Sequence, residues 1–316
     1  TAHLILYEYL IVLDHFRDNG QIVVNSFTPE RKPDHEIQLL LQFQPESELP
    51  FSCTAPVTSP LSDADFLKNV LHTRDHILRG DVFQLVLSRP YRQSFFGDDF
   101  QVYRQLRRLN PSPYLFYADM ESYRIMGSSP ETQIRLNNGE AEIHPIAGTV
   151  RKTGDSQEDL RLVKHLVNDE KENAEHTMLV DLARNDLSKY CDQVRVRSYK
   201  EVQHFSHVIH LVSKVTGKLR DSEALHLFSG TFPAGTLSGT PKPKALELIQ
   251  HYEGDTRDYY GGAIGFLGTN GTMNLAIIIR SMLSKNNVLH FRAGAGIVLD
   301  SIPENELQEV TNKLKA

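Results

Sequence analysis

Between Tyr114 and Pro145 four short β-prone runs follow one another almost without pause, and this spacing restricts the possible folds more than any other feature of the chain. The runs are Tyr114 to Asp119, Tyr123 to Ser128, Thr132 to Leu136 and Ala141 to Pro145. Strands joined by such short turns must pair antiparallel, because a parallel pair needs a crossover of a dozen or more residues. Asn137-Asn138-Gly139 supplies turn residues between the last two. A second series, Gly262 to Leu267, Met273 to Leu283 and Val288 to Ile297, has the same character. Val82 to Ser88, Gln193 to His204 and His207 to Leu219 also read as strands. Helical patterns fall between these groups: Ser62 to Arg79 (closed by Gly80), Phe100 to Leu109, Ser156 to Ser188, Ser222 to Phe228, Pro241 to Tyr252 and Pro303 to Lys315. Grouped strands with helices between them predict an α+β fold on large antiparallel sheets.

The start of the chain reads differently. Leu4 to Leu13 and Gln21 to Ser26 flank Asp18-Asn19-Gly20 as a hairpin. A hairpin alone is marginal, so further chain is expected before Thr1. Phe27 to Pro60, rich in Pro, Glu and Ser, reads as a connector with one helix-like run, Asp34 to Phe43. Residues 1–60 are therefore expected to be the remnant of a longer N-terminal region. Residues 61–316 form the main domain of the same globular unit.

Composition excludes several classes of function. The net charge is −6, with no basic tract, so a nucleic-acid partner is not expected. No stretch approaches the roughly 18 apolar residues of a membrane span. Cys53 and Cys191 cannot build a disulfide framework. No charged-then-apolar leader opens the chain, and a cytoplasmic compartment is expected.

Candidate chemistry sits on two helices and three glycine segments. Glu172 and Glu175 share a helix face, as do Glu306 and Glu309, with Lys313 one turn further on. Four carboxylates could grip a hard cation such as Mg²⁺, but by spacing alone they read more readily as two solvated helix faces. Pro145 to Thr149 follows a strand, Gly235 to Lys242 precedes a helix, and Ala293 to Gly296 interrupts a strand. Glycines let a backbone approach a ligand, but the second segment lacks the order of a phosphate-binding loop. His210 lies in an apolar run and reads as a core histidine or as an acid–base group. Arg280, in a similar run, needs an anionic partner, which a ligand carboxylate could supply.

These segments together resemble the chorismate-utilising enzymes, most closely the large subunits of anthranilate synthases. The likeness covers about Asp65 to Lys315. It rests on Gly80 to Arg89, Asn110 to Tyr114, Gly127-Ser128-Ser129-Pro130-Glu131, Pro145 to Thr149, Ala174 to Leu187 and Gly294 to Ser301. The resemblance implies two large antiparallel sheets facing each other, with helices outside. It implies a lyase that aminates chorismate at C2 and then expels pyruvate. Glu175 and Glu309 match direct Mg²⁺ ligands, with Glu172 and Glu306 supporting them. Tyr260, Arg280 and the amides of Gly294, Ala295 and Gly296 match positions that hold the enolpyruvyl side chain, and Lys313 matches a carboxylate contact. Gly148 and Thr149 match substrate-binding positions, and Thr236, lining the same pocket, matches a catalytic position. Glu131 matches the acid that helps the C4 hydroxyl leave, and His210 the residue linked to pyruvate loss. Ammonia is expected from a separate glutamine amidotransferase subunit in a hetero-oligomer, since neither cysteine sits in a glutaminase motif.

Family members usually carry more chain at the start, with a Leu-Leu-Glu-Ser motif used in tryptophan feedback; it is absent here. Relatives with other reactions have a lysine where this chain has Ala147 (aminodeoxychorismate synthases) or Gln84 (isochorismate and salicylate synthases). Both replacements favour the anthranilate reaction. A non-catalytic chorismate-binding subunit is the alternative from another class. The retained Glu131, Glu175, His210 and Glu309 argue against it.

Overall fold

The computed structural model of the protein describes residues 2–26, 37, 39, 42, 49–204, 208–220 and 224–315. The helix-like run Asp34 to Phe43 lies outside the described residues except at Ile37, Leu39 and Gln42. The chain divides into two units, Thr1–Leu49 and Pro50–Ala316. In the first, Tyr9–Asp14 pairs antiparallel with Asn19–Val24, in the hairpin register Asp14↔Asn19. Asp14 Oδ1 closes the turn by accepting from the backbone N–H groups of Phe16 and Arg17, each at 3.0 Å.

The second unit carries two seven-stranded sheets. The first sheet runs in the order Cys191–His204, Val208–Leu219, Glu140–Ile143, Thr132–Asn137, Met273–Ile277, Ala263–Leu267, with Ile146–Arg151 paired to Val208–Leu219. The second runs Gly239–Thr240, Gln84–Gly97, Val288–Ile297, Ser281–Lys285, Arg124–Ser129, Tyr114–Asp119, with Phe51–Cys53 on Gln84–Gly97. Every pairing is antiparallel, but the four runs from Tyr114 to Pro145 are not one meander: Arg124–Ser129 pairs with Tyr114–Asp119 in the second sheet, and Thr132–Asn137 pairs with Glu140–Ile143 in the first, so the short link between them changes sheets instead of closing a hairpin.

Strand alternation decides which side chains are core. In Gln84–Gly97, Leu85, Leu87 and Tyr91 join Ala293, Ala295 and Ile297 of Val288–Ile297 in one buried cluster. The helices Asp63–Leu78, Lys242–Glu253 and Pro303–Lys315 cover it with Phe66, Val70, Leu248, Ile249 and Val310. The intervening residues Gln84, Ser88, Gly294 and Gly296 therefore point to the opposite face. On the first sheet, Val180, Ala183 and Leu187 of Glu170–Ser188 pack against Ile134, Leu136, Val215 and Met273.

Several elements differ from the sequence reading. The run Met273 to Leu283 is two strands, Met273–Ile277 in the first sheet and Ser281–Lys285 in the second. Arg280, read as a strand residue, sits at this crossing with φ +49°. A run centred on Ile277, Ile278 and Ile279 with no turn residue in it conceals a sheet change. Ala293 to Gly296 does not interrupt its strand: Ala293↔Arg89, Gly294↔Ser88, Ala295↔Leu87 and Gly296↔Val86 form a regular ladder. Pro145 to Thr149 does not merely follow a strand; Ile146–Arg151 is one. The helical stretch from Ser156 breaks at Asp169, which ends Ser156–Asn168 and caps Glu170–Ser188. The stretch Pro50 to Pro60, read as connector, pairs with Gln84–Gly97 through Phe51–Cys53 and through Thr58↔Arg92. No helix among the described residues is long and apolar enough to cross a membrane.

Candidate active site

The face of the second sheet that carries Gln84, Gly294 and Gly296 meets Glu175, Tyr260 and Lys313 among the residues singled out from sequence. Gln84 Nε2 donates to Glu175 Oε1 at 3.2 Å, joining the sheet to helix Glu170–Ser188. A Cβ at Gly296 would stand 2.6 Å from Gln84 Nε2 and 3.7 Å from Glu175 Oε1; a Cβ at Gly294 would stand 3.1 Å from the Tyr260 hydroxyl. Any side chain there would fill the space, so the bare strand is what leaves a pocket floor. Ala295 turns its methyl into the helix-side core, so it can meet a ligand only through its backbone. From the last helix, Lys313 Nζ donates to the Gly294 carbonyl at 2.8 Å and pairs with Glu309 Oε1 at 2.6 Å. Glu306, one turn earlier, is buried at 6% exposure.

Glu175 therefore borders the Gly294–Gly296 segment directly, and Glu309 is linked to it through Lys313. Among the described residues no three His, Cys, Asp or Glu side chains converge as a ligand group. Mg²⁺ does not require such a cage: it takes one or two protein carboxylates and fills its shell with water and substrate oxygens. Hard carboxylate oxygens beside an open glycine floor fit that ion.

His210 is buried in Val208–Leu219, opposite Thr149 of Ile146–Arg151. The ladder slips between His210 and Leu211, and Gly148 is the extra residue of this bulge, with φ +68°. A Cβ on Gly148 would lie 2.7 Å from Leu166 Cδ1 and 3.3 Å from Glu172 Oε2. Both the backbone conformation and the crowding demand glycine. Burial lowers the His210 pKa, Arg280 lowers it further, and a hydrogen bond to the Gly148 backbone opposes the shift. The imidazole is thus neutral at neutral pH.

Glu131 lies where the chain passes from Arg124–Ser129 in the second sheet to Thr132–Asn137 in the first. Its backbone is fixed at both ends. The N–H donates to Ser129 Oγ at 3.3 Å, and the carbonyl accepts from Ile277 N–H at 3.0 Å. Burial raises its carboxyl pKa to about 7, against the opposing influence of Thr236, Lys313 and Arg280. Desolvation therefore outweighs a neighbour hydroxyl and two cations by about 3 kcal/mol. Thr236 opposes the shift as a hydrogen-bond partner of the Glu131 carboxyl, and its buried hydroxyl has no other partner. Tyr260, whose hydroxyl is pushed up to about 12 by burial, also feels Glu131. A buried carboxyl with a raised pKa thus lies within electrostatic reach of Arg280, Lys313 and the Tyr260 phenol. The arrangement can donate a proton beside a bound anion.

One group behind the floor was not legible as functional. Glu253 accepts from Ser88 N–H at 2.7 Å and pairs with Arg257 at 2.5 Å and Arg292 at 3.2 Å. Arg257 also donates to the carbonyls of Leu237 at 2.5 Å and Val86 at 2.7 Å. This buried cluster ties both central strands to the segment next to Thr236. The only signal in sequence is the i,i+4 spacing of Glu253 and Arg257, which is common on exposed helices.

The whole chain, residues 1–316, matches the family described as chorismate binding enzyme. It is 44% identical to anthranilate synthase component 1 of Aquifex aeolicus (strain VF5) over 261 residues, covering 82% of this chain and 53% of that protein. The chain spans about half the length of several curated relatives it matches. The crystal structure of anthranilate synthase component I from Streptococcus pneumoniae TIGR4 superposes with a TM-score of 0.86 at 38% identity, covering 98% of this chain and 72% of that one. MenF, the menaquinone-specific isochorismate synthase from Escherichia coli, gives 0.80 at 25%, covering 89% and 66%.

Proposed function

The chain belongs to the chorismate-binding enzyme family, and on that footing we propose that it is the catalytic part of an anthranilate synthase, converting chorismate and ammonia to anthranilate and pyruvate. The observation that carries the reading is Glu131. A buried carboxyl with a pKa of about 7 is protonated in much of the population near neutrality. Hydroxide is a poor leaving group, so loss of the C4 hydroxyl needs such an acid. The greater likeness to anthranilate synthases than to an isochorismate synthase supports the same choice.

The other residues take roles around it. Arg280, Tyr260 and the Gly294, Ala295 and Gly296 amides hold the enolpyruvyl group. Lys313 contacts a carboxylate, while Gly148, Thr149 and Thr236 shape the wall. Glu175 and Glu309 hold Mg²⁺, with Glu172 and Glu306 supporting them. When bound, the ion anchors the ring carboxylate and draws electron density from it. Gln84, an amide tied to Glu175 at 3.2 Å, has no basic group that could take a proton from water. Neutral His210 accepts the ring proton as pyruvate leaves. Ammonia comes from a separate glutamine amidotransferase subunit.

The test is product identity. Purified protein with chorismate, Mg²⁺ and ammonium should yield anthranilate and pyruvate in equal amounts, read by anthranilate fluorescence and chromatography. Mainly isochorismate, salicylate or 4-amino-4-deoxychorismate would overturn the reading.

A further inference from the structure

The strand Gln84–Gly97 pairs along one side with Val288–Ile297, but its other edge is only partly covered. Gly239–Thr240 lies along that edge at Leu85 and Gln84, and Thr58 reaches it at Arg92. Between these points no described strand runs beside it. Arg92 exchanges both backbone bonds with Thr58 at 2.8 and 3.0 Å, so by alternation Val86 and Ser88 turn their backbone groups to the same edge. Continued in register, Ser238 and Thr236 would pair with them. Those residues form the short helix Gly235–Ser238 instead, and Thr236 becomes a hydrogen-bond partner of the Glu131 carboxyl.

Two side chains take over the edge that the helix leaves bare. Arg257 Nη2 donates to the Val86 carbonyl at 2.7 Å, and Glu253 Oε1 accepts from Ser88 N–H at 2.7 Å. A neighbouring strand would pair the same two groups. Arg257 and Glu253 are locked together as a fork, Nη2 to Oε1 at 2.5 Å and Nε to Oε2 at 2.9 Å. The Glu253 side chain is only 2% exposed, so water cannot replace either partner.

Arg257 also reaches the pocket side. Its Nη1 donates to the Leu237 carbonyl at 2.5 Å, so the guanidinium that completes the strand also holds the helix that departs from it. Its Cζ lies 5.8 Å from the centroid of the Tyr260 ring, and Tyr260 shares one buried cluster with Leu237. On the far side of the strand, Val86 and Ser88 are the ladder partners of Gly296 and Gly294. We propose that Arg257, locked by Glu253, is a positioning residue for enolpyruvyl recognition: it stands in for the missing stretch of strand and fixes the Tyr260 hydroxyl against the Gly294–Gly296 floor. The inference rests on the functional reading above, which gives that floor and that hydroxyl to the enolpyruvyl group.

Arg257→Lys keeps the charge opposite Glu253, but one ammonium cannot hold Glu253, Val86 and Leu237 together in the guanidinium's plane. Chorismate and the aminated intermediate both carry the enolpyruvyl group. In this variant KM for each, measured separately, should rise about 10-fold, with both turnover numbers within threefold of wild type and KM for ammonium within twofold. Calorimetric binding of chorismate without a nitrogen source should weaken by the same factor. Glu253→Gln, which keeps an acceptor for Ser88 but breaks the charged fork, should move both values in the same direction by about threefold, and it decides the matter if Arg257→Lys does not fold. Arg89→Lys is the matched control. Arg89 is a buried arginine of the same strand, but it faces the helix side, where it holds Asp63 and the Leu61 carbonyl. That variant should lose stability and leave both KM values unchanged. Lower turnover at unchanged KM, a rise for only one of the two substrates, or an equal rise in Arg89→Lys would overturn the proposal, the last by showing a general loosening of the sheet. Unaffected variants of an active wild type would remove the role of Arg257 alone. A wild type that makes no anthranilate would bring down the parent reading as well.

Discussion

At the scale of single residues, burial and not charge sets the chemistry. Arg280 and Lys313 both favour the Glu131 carboxylate, yet desolvation holds its pKa near 7. The sign of the pH dependence follows. The protonated form is the acid, so its contribution is present below about 7 and is lost as pH rises through that value. Glu131→Gln, which cannot donate in the same way, should slow chorismate consumption by roughly 10²–10⁴-fold and abolish that alkaline limb. A mutant that kept the limb would move the acid elsewhere. For His210, the Met variant should slow anthranilate release more than chorismate consumption, so that an aminated, pyruvyl-bearing intermediate accumulates on chromatography. Equal slowing of both would leave His210 a packing role against the Gly148 bulge. The motif Gly127 to Glu131 makes Glu131 visible in sequence, but nothing there shows its desolvation, which comes from residues far along the chain.

At the scale of elements, geometry passes from caps and bulges to the candidate ligands. Asp169 accepts from Glu172 N–H at 2.9 Å and starts the helix that presents Glu172 and Glu175. Asp169→Ala should cost about 1 kcal/mol, lowering the melting temperature by roughly 2–4 °C. It should also raise the Mg²⁺ concentration needed for half-maximal activity, because the carboxylates move with the first turn. Asp169→Asn should restore both, and calorimetry with an Mg²⁺ titration of activity measures them. Unchanged Mg²⁺ dependence in the Ala variant would detach this helix from metal binding. The ends of Asp63–Leu78 were legible because capping residues are local: Ser62 caps it and Gly80 follows it at φ +80°; the Asp169 cap, inside a stretch read as one helical run, was not. Nor was sheet membership. Met273–Ile277 and Ser281–Lys285 belong to different sheets although one apolar run spans them, and periodicity cannot report which neighbour a buried strand chooses.

At the scale of the whole molecule, the α+β class was readable from turn spacing, since short connections leave only antiparallel pairing. Convergence was not readable. Gln84, Glu131, Glu175, His210 and Lys313 come from distant segments, and only the resemblance to a family placed them together. The same scale sets the source of nitrogen. Cys191 is buried, and burial raises its thiol pKa to about 11, so it is not a poised nucleophile. Cys53 is exposed, on the short strand Phe51–Cys53, with no described histidine bonded to it. Glutamine hydrolysis needs a thiolate nucleophile held by a base. The chain should therefore make anthranilate with ammonium salts and none with glutamine alone. Because ammonia is a minor species beside ammonium at neutral pH, the ammonium-driven rate should rise with pH until the Glu131 limb near 7 counteracts it. A cognate glutaminase subunit should confer glutamine-dependent synthesis and release that rate from the ammonia equilibrium, leaving only the acid limb. Assays with each nitrogen source across pH, with and without the subunit, measure this. Glutamine turnover by the chain alone, abolished by Cys191→Ser or Cys53→Ser, would show that the second activity resides here and that no separate subunit is needed.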